Sequence, residues 1–232
     1  MKTTAAIISL VILLFLAIGC KKDSTTNPTP TITIKDIDGN TYTTVKIGTQ
    51  TWMVENLKVT KYRNGDPIPN VTNANLWMNT TIGAYCWYDN NIQNKILYGA
   101  LYNWYAIKDS RNIAPIGWHV STDADWTILT TFLGGESVAG NKLREKGTAH
   151  WMTPNTGATN EFGFNGLPGG ISSGGIFDTQ GMEGAWWSNI TTTPTDHSDN
   201  WHRMLWYDDA TVSKSHDLFQ TFWGFSVRCV KD

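Results

Sequence analysis

The densest run of polar and ligating side chains is Asp196-His197-Ser198-Asp199-Asn200-Trp201-His202. His and Asp at such density could hold a metal ion, but the spacing matches no standard ligand motif. A solvated loop entering a strand is the expected role. Asp123 and Asp125 could serve as a carboxylate pair in hydrolysis. Their place at a helix start explains them better, because acid in the first turn complements the helix dipole. Asp178, Glu183, Asp208 and Asp209 could offer oxygens to calcium, with turn and solvent roles as the expectation for all four. The chain has no phosphate loop. It shows no catalytic constellation, so an enzyme is the less favoured reading.

Recognition chemistry is better supplied. There are 12 Trp against 8 Tyr and 8 Phe, and large amphipathic rings suit both a core and a ligand platform. Trp104 and Trp126 fall on helical stripes, and Trp52, Trp87 and Trp118 fall in apolar blocks, so these five belong to the core. Trp186 and Trp187 are adjacent and in a strand must face opposite ways; one should be buried, and the other could be exposed. Trp201, His202, Arg203, Trp206 and Tyr207 follow. Trp, Tyr and Arg are enriched at binding hot spots, so ligand contact is expected at these seven positions. The net charge of −2 argues against a nucleic-acid partner, which would need a basic face.

The N-terminus addresses location. Lys2 precedes an apolar run from Ala5 to Ile18, too short for a comfortable membrane span and read as a secretory signal. Its end, Ala17-Ile18-Gly19-Cys20, resembles the bacterial lipobox, which implies cleavage after residue 19 and a lipid anchor on Cys20. Residues 20–30 are polar with Pro28 and Pro30, a flexible tether. A charged segment after the lipidated Cys resembles a surface-export signal, which implies an outer membrane lipoprotein facing outward. Cys86 and Cys229 remain. In an oxidising compartment two such cysteines often pair, so a disulfide is expected, with two buried free thiols as the alternative.

The elements that position these residues read as follows. Thr31 to Ile37, Tyr42 to Ile47 and Gln50 to Val54 form a β-meander with turns at Asp38-Gly39-Asn40 and Gly48-Thr49. Leu97 to Ile107 has helical spacing at Leu97, Leu101, Trp104 and Tyr105. A second helix starts at Thr122, with Asp125 completing a capping box and Trp126, Leu129, Phe132 and Leu133 as its stripe. Gly134-Gly135 ends it, and a short helix spans Ala139 to Glu145. Residues 147–184 are Gly-rich and irregular. Strands follow at Ala185 to Asn189, Trp201 to Tyr207, Thr211 to Ser213 and Phe222 to Val230. The order predicts one α+β domain over residues 31–232 with two main helices, small antiparallel sheets and long loops.

Several blocks then form a series: Trp52-Met53-Val54-Glu55-Asn56-Leu57, Ala84-Tyr85-Cys86-Trp87-Tyr88, Tyr98-Gly99-Ala100-Leu101-Tyr102-Asn103-Trp104, Gly117 to Trp126, Leu167-Pro168-Gly169-Gly170, and Gly224-Phe225-Ser226-Val227-Arg228-Cys229-Val230. Together they resemble the Fibrobacter succinogenes major paralogous domain, found in lipoproteins and secreted proteins of Bacteroidetes and Fibrobacteres. Ser121 stands where that family often has Pro, and Asp125 where it has Glu. More distantly the chain is similar to the C-type-lectin-like and formylglycine-generating-enzyme fold. That likeness implies a C-type-lectin-like architecture with ligands on the long loop and C-terminal strands. It also implies calcium as a cofactor to consider, although the lectin Glu-Pro-Asn and Trp-Asn-Asp motifs are absent. Formylglycine chemistry needs two cysteines close together near the C-terminus, and Cys229 has no neighbour of that kind. The expectation is a lipid-anchored envelope protein binding glycan or protein ligands. The alternatives are a polysaccharide hydrolase or a structural surface protein.

Overall fold

A computed structural model describes residues 33–188, 201–216 and 220–232. The expected signal segment, Cys20, the tether and the run from Asp196 to Asn200 lie outside the described residues. The meander is present as β1 (Thr33–Lys35), β2 (Thr41–Ile47) and β3 (Gln50–Met53). The last strand, β13 (Cys229–Lys231), inserts between β3 and β6 (Trp118–Val120) to give an antiparallel sheet ordered β1-β2-β3-β13-β6.

A second sheet is ordered β11-β10-β9, from β9 (Glu183–Trp187), β10 (Trp201–Trp206) and β11 (Val212–His216). The third is ordered β4-β5-β12-β7-β8, from β4 (Tyr85–Cys86), β5 (Leu101–Asn103), β7 (Ile171–Ser173), β8 (Ile176–Asp178) and β12 (Trp223–Phe225). The helices are α1 (Ala74–Asn79), α2 (Asn94–Tyr98), α3 (Trp104–Ile107), α4 (Asp123–Phe132) and α5 (Glu136–Leu143). The described part is thus a mixed fold dominated by antiparallel strands.

α4 begins as its sequence predicts. Thr122 Oγ1 accepts from Asp125 N, and Asp125 accepts from Thr122 N in return, which satisfies two amide groups that a helix start leaves orphaned. Trp126, Leu129 and Leu133 are buried, while Phe132 stays half exposed against Phe162. The continuous helix over Leu97 to Ile107 does not form. Gly99 takes φ +76°, and a Cβ there would lie 2.7 Å from Leu57 O. Helical spacing in so short an apolar run also fits a strand. Pairing of Tyr102 with Phe225 and Asn103 with Gly224 decides for β5. The Gly-rich region 147–184 is not wholly irregular: β7 and β8 form a hairpin across Gly174-Gly175, both at positive φ, as a tight hairpin turn requires.

The expected single strand from Phe222 to Val230 is two strands with a crossing between them. β12 belongs to the third sheet. Ser226 N then donates to Ala185 O, and Trp187 N donates to Ser226 O, bridging to the second sheet. β13 completes the first. One nine-residue stretch therefore ties all three sheets together. The thiols it was expected to help bridge stay apart: Cys86 and Cys229 are both free and buried. Cys86 packs with Trp77, Ala84 and Leu101, while Cys229 packs in the largest cluster with Tyr42, Met53 and Trp118. Burial pushes Cys86 up to about 12 and Cys229 higher still, so neither supplies a thiolate for redox chemistry.

Candidate functional site

The second sheet separates two cores, and this sets where the seven expected ligand residues lie. Alternation along β9 does send Trp186 and Trp187 to opposite faces. Trp186 packs with Trp126, Phe164 and Leu205, and Trp187 packs with Trp104, Phe225 and Ala185. Both faces are covered, and both rings are 0 % exposed. The second ring, which could have been exposed, is buried as well, because the sheet is covered on both sides. Trp186 Nε1 donates to Asn56 Oδ1 and Trp187 Nε1 to Tyr102 O, so their polar edges are also satisfied internally.

On β10, His202 is buried and stacked on Phe225 with ring centroids 4.5 Å apart. Arg203 is 1 % exposed. Trp201, Trp206 and Tyr207 are half-buried. Trp201 and Trp206 sit at opposite ends of the strand, about 17 Å apart at 3.3 Å per residue, and on opposite faces. The seven residues therefore do not converge. Trp206 and Tyr207 belong to a different corner, where Arg144 donates to Trp206 O and Tyr207 N donates to Met182 O.

What converges is a cluster around Trp201 that includes residues outside the expected set. In the β10–β11 register Trp201 lies opposite His216 and Arg203 opposite Lys214. The Trp201 and His216 rings stack at 4.2 Å and 29°. Lys214 Nζ lies 4.0 Å from the Trp201 ring centroid and donates to Asp123 Oδ2 at 2.7 Å. Arg203 Nη2 donates to Asp123 Oδ1 at 2.6 Å, and Arg203 Nη1 donates to Glu136. Burial works to raise the Asp123 pKa, but the hydrogen bonds from Lys214 and Arg203 outweigh it and hold the carboxyl below its ordinary range. Asp123 opens α4 and Glu136 opens α5, so two helix starts aim their acids at one arginine. The result is a half-buried aromatic ring held by an imidazole and a cation, the cation being tied through Asp123 to Arg203 and Glu136.

Other titratable groups are arranged for stability. His119 Nδ1 lies 2.7 Å from Asp232 Oδ1, and Nε2 lies 3.0 Å from Asp125 Oδ2. The Asp125 bond, opposed by partial burial and helped by Asp232, raises the His119 pKa. With both nitrogens engaged by carboxylates, the ring clasps the C-terminal residue to the start of α4. Glu183 is 3 % exposed, accepts from Thr179 Oγ1, and is raised to about 7 by burial. The calcium candidates do not assemble: Asp178 and Glu183 flank the β8–β9 turn, and Asp209 accepts from Thr211 N in the β10–β11 turn. Among the described residues no three of His, Cys, Asp and Glu gather as metal ligands.

The deepest polar feature is Arg228, which is fully buried. Its Nε and Nη2 donate to Asn56 Oδ1 at 3.1 and 2.7 Å, and its Nη1 donates to Met53 O and Phe164 O. Desolvation, opposed by the charge of Glu55, pulls its pKa down to about 9. Asn56 also donates to Tyr98 O. Residues 45–231 match the model of the Fibrobacter succinogenes major domain, and the chain belongs to that family. Nothing matches among the curated proteins or the solved structures.

Proposed function

Taking the chain as a member of that family, we propose that it is a non-catalytic binding module of the cell envelope, recognising glycan through the Trp201 platform. The single observation that carries this reading is the Trp201 ring, stacked by His216 and contacted by Lys214, whose ammonium is held by Asp123. A pyranose offers an apolar C–H face and a fringe of hydroxyls. The part of the ring left exposed between His216 and Lys214, with their N–H donors beside it, is matched to both. The base is rigid, since Arg203 is buried and paired twice, so little side-chain entropy is lost on binding.

The location follows the N-terminal reading: a lipid on Cys20, a tether to residue 30, and an outward-facing outer membrane position. Replacement of Cys20 by Ser should then release the protein from membranes; continued attachment would count against the anchor. The finer architecture we propose is C-type-lectin-like. It is supported by the strand-then-helix block of β6 and α4 and by the closing strand β13 paired between β6 and β3.

The test is a screen of glycans and polysaccharides with the wild type and Trp201→Ala, with and without calcium. Binding that Trp201→Ala abolishes supports the reading. A blank screen with an intact fold sinks the glycan version.

A further inference from the structure

A second site lies away from the platform and shares none of its residues. A pocket of about 230 Å³ opens between the end of β1 and the loop leading into β6, with Lys35, Asp36, Ile37, Arg63, Ile113 and Ile116 among its lining. Two features set it apart. First, it displays aliphatic surface to solvent: Ile116 is 84 % exposed and Ile37 is 47 % exposed. Second, its two cations, Lys35 and Arg63, outnumber its one carboxylate, Asp36, and neither cation is ion-paired among the described residues.

Arg63 is held rigidly. Its Nε donates to Ala114 O at 3.0 Å, and its Nη2 donates to Pro115 O at 3.0 Å and Trp118 O at 2.9 Å. These bonds use three of the five guanidinium N–H groups. Both N–H groups of Nη1 remain, and among the described residues no carboxylate lies within ion-pair reach of Arg63 or Lys35. Asp36 is the one carboxylate of the lining, and its hydrogen bonds tie it to the turn that follows β1. Its carboxylate accepts from Asp38 N, Asn40 N, Asn40 Nδ2 and Tyr42 Oη at 2.6–3.0 Å. The lining thus combines a held guanidinium with one unbonded nitrogen, a lysine ammonium, one carboxylate and a branched aliphatic wall.

We propose that this pocket binds an aliphatic carboxylate. The carboxylate oxygens accept from Arg63 Nη1 and Lys35 Nζ, charge-assisted bonds of the stronger kind, and the hydrocarbon covers Ile37, Ile113 and Ile116. The volume is below that of drug-sized sites, so the ligand is one branched chain with its acid group. That chemistry has two sources, a free short-chain acid and the apolar C-terminal residue of a peptide.

The full chain should be titrated with isovalerate, N-acetyl-L-leucine and the uncharged N-acetyl-L-leucinamide, following the Ile37 and Ile116 methyl resonances. At least one acid is expected to shift them saturably, with a dissociation constant on the order of millimolar for so small a ligand, while the amide does not. A stronger response to N-acetyl-L-leucine assigns the site to chain ends, and an equal or stronger response to isovalerate assigns it to free acids. Ile116→Ser, at an exposed position, should weaken binding about tenfold with the thermal midpoint unchanged. Lys35→Gln should weaken it similarly. Arg63 is left intact because it also holds the loop. Equal binding of the amide, no shift with either acid, or unchanged affinity in Ile116→Ser would overturn the proposal. None of these outcomes bears on Trp201.

Discussion

Arg228 and Arg203 are both almost wholly buried, and each stands close to a tryptophan, yet they do opposite work. Arg228 lies over Phe164 and near Trp186, and every oxygen it touches is neutral: the Asn56 amide and two main-chain carbonyls. Arg203 meets two carboxylates whose side chains reach the surface, with Asp123 shared by Lys214 above Trp201. The lesson is that residue type does not separate scaffold from site. Partner chemistry does: neutral acceptors inside make a charged group into a strut, whereas surface carboxylates leave a charged, ordered rim that a ligand can reach.

The largest test replaces each arginine in turn. Arg228→Met should cost about 3–5 kcal/mol, because it strands buried acceptors that no water reaches. Arg203→Met should cost about 1–2 kcal/mol, since Asp123 keeps Lys214 and Glu136 turns to solvent. Equal losses in urea unfolding would break the distinction. The tryptophans give a matching pair. Trp186→Ala should cost about 3–5 kcal/mol by opening a cavity between packed rings, whereas Trp201→Ala should cost under about 1 kcal/mol and remove glycan binding.

A smaller effect sharpens the interior half of the comparison with an acid. Glu183 is raised to about 7 from an ordinary value of 4.5. The folded state therefore holds its proton more tightly than the unfolded state. This group weakens stability as pH climbs from about 4.5 to about 7, and the full penalty stands above that. Glu183→Gln should stabilise by about 2–3 kcal/mol at pH 8 and by nothing at pH 4. Thermal midpoints of the pair across that range give the answer.

The smallest effect sits on the surface half. His119 has a raised pKa, so its clasp on Asp125 and Asp232 is fully present below the ordinary histidine value and fades as pH rises through the folded one. His119→Gln should lower the thermal midpoint slightly at pH 5.5 and leave it unchanged at pH 8.5. A constant difference would mean that the ring acts by packing instead.

Some of this was legible in the residues. The meander and the capping box of α4 depend on turns and caps a few residues long, and both stand as read. The helix over Leu97 to Ile107 failed because β12 arrives from far along the chain to pair with β5. The platform was half legible. Trp201 and Arg203 were marked by type, and Asp123 was assigned only to its helix dipole. Lys214 and His216 carried a faint signal, alternate positions on a strand beside Trp201, but their register depends on pairing across residues 207–211. The pocket around Arg63 left no signal, since its lining comes from three separate segments.

Local chemistry therefore follows from the chain itself: a near-neutral domain of mixed α and β structure, the family blocks, and an excess of tryptophan. Its use was decided in three dimensions. Nine of the 12 tryptophans are buried, leaving Trp201, Trp206 and Trp223 with partial exposure. Alternation along a strand says only that neighbours face opposite ways. Whether both faces are covered depends on what packs against the sheet, and here two cores, joined by the stretch from Trp223 to Lys231, close over Trp186 and Trp187 together.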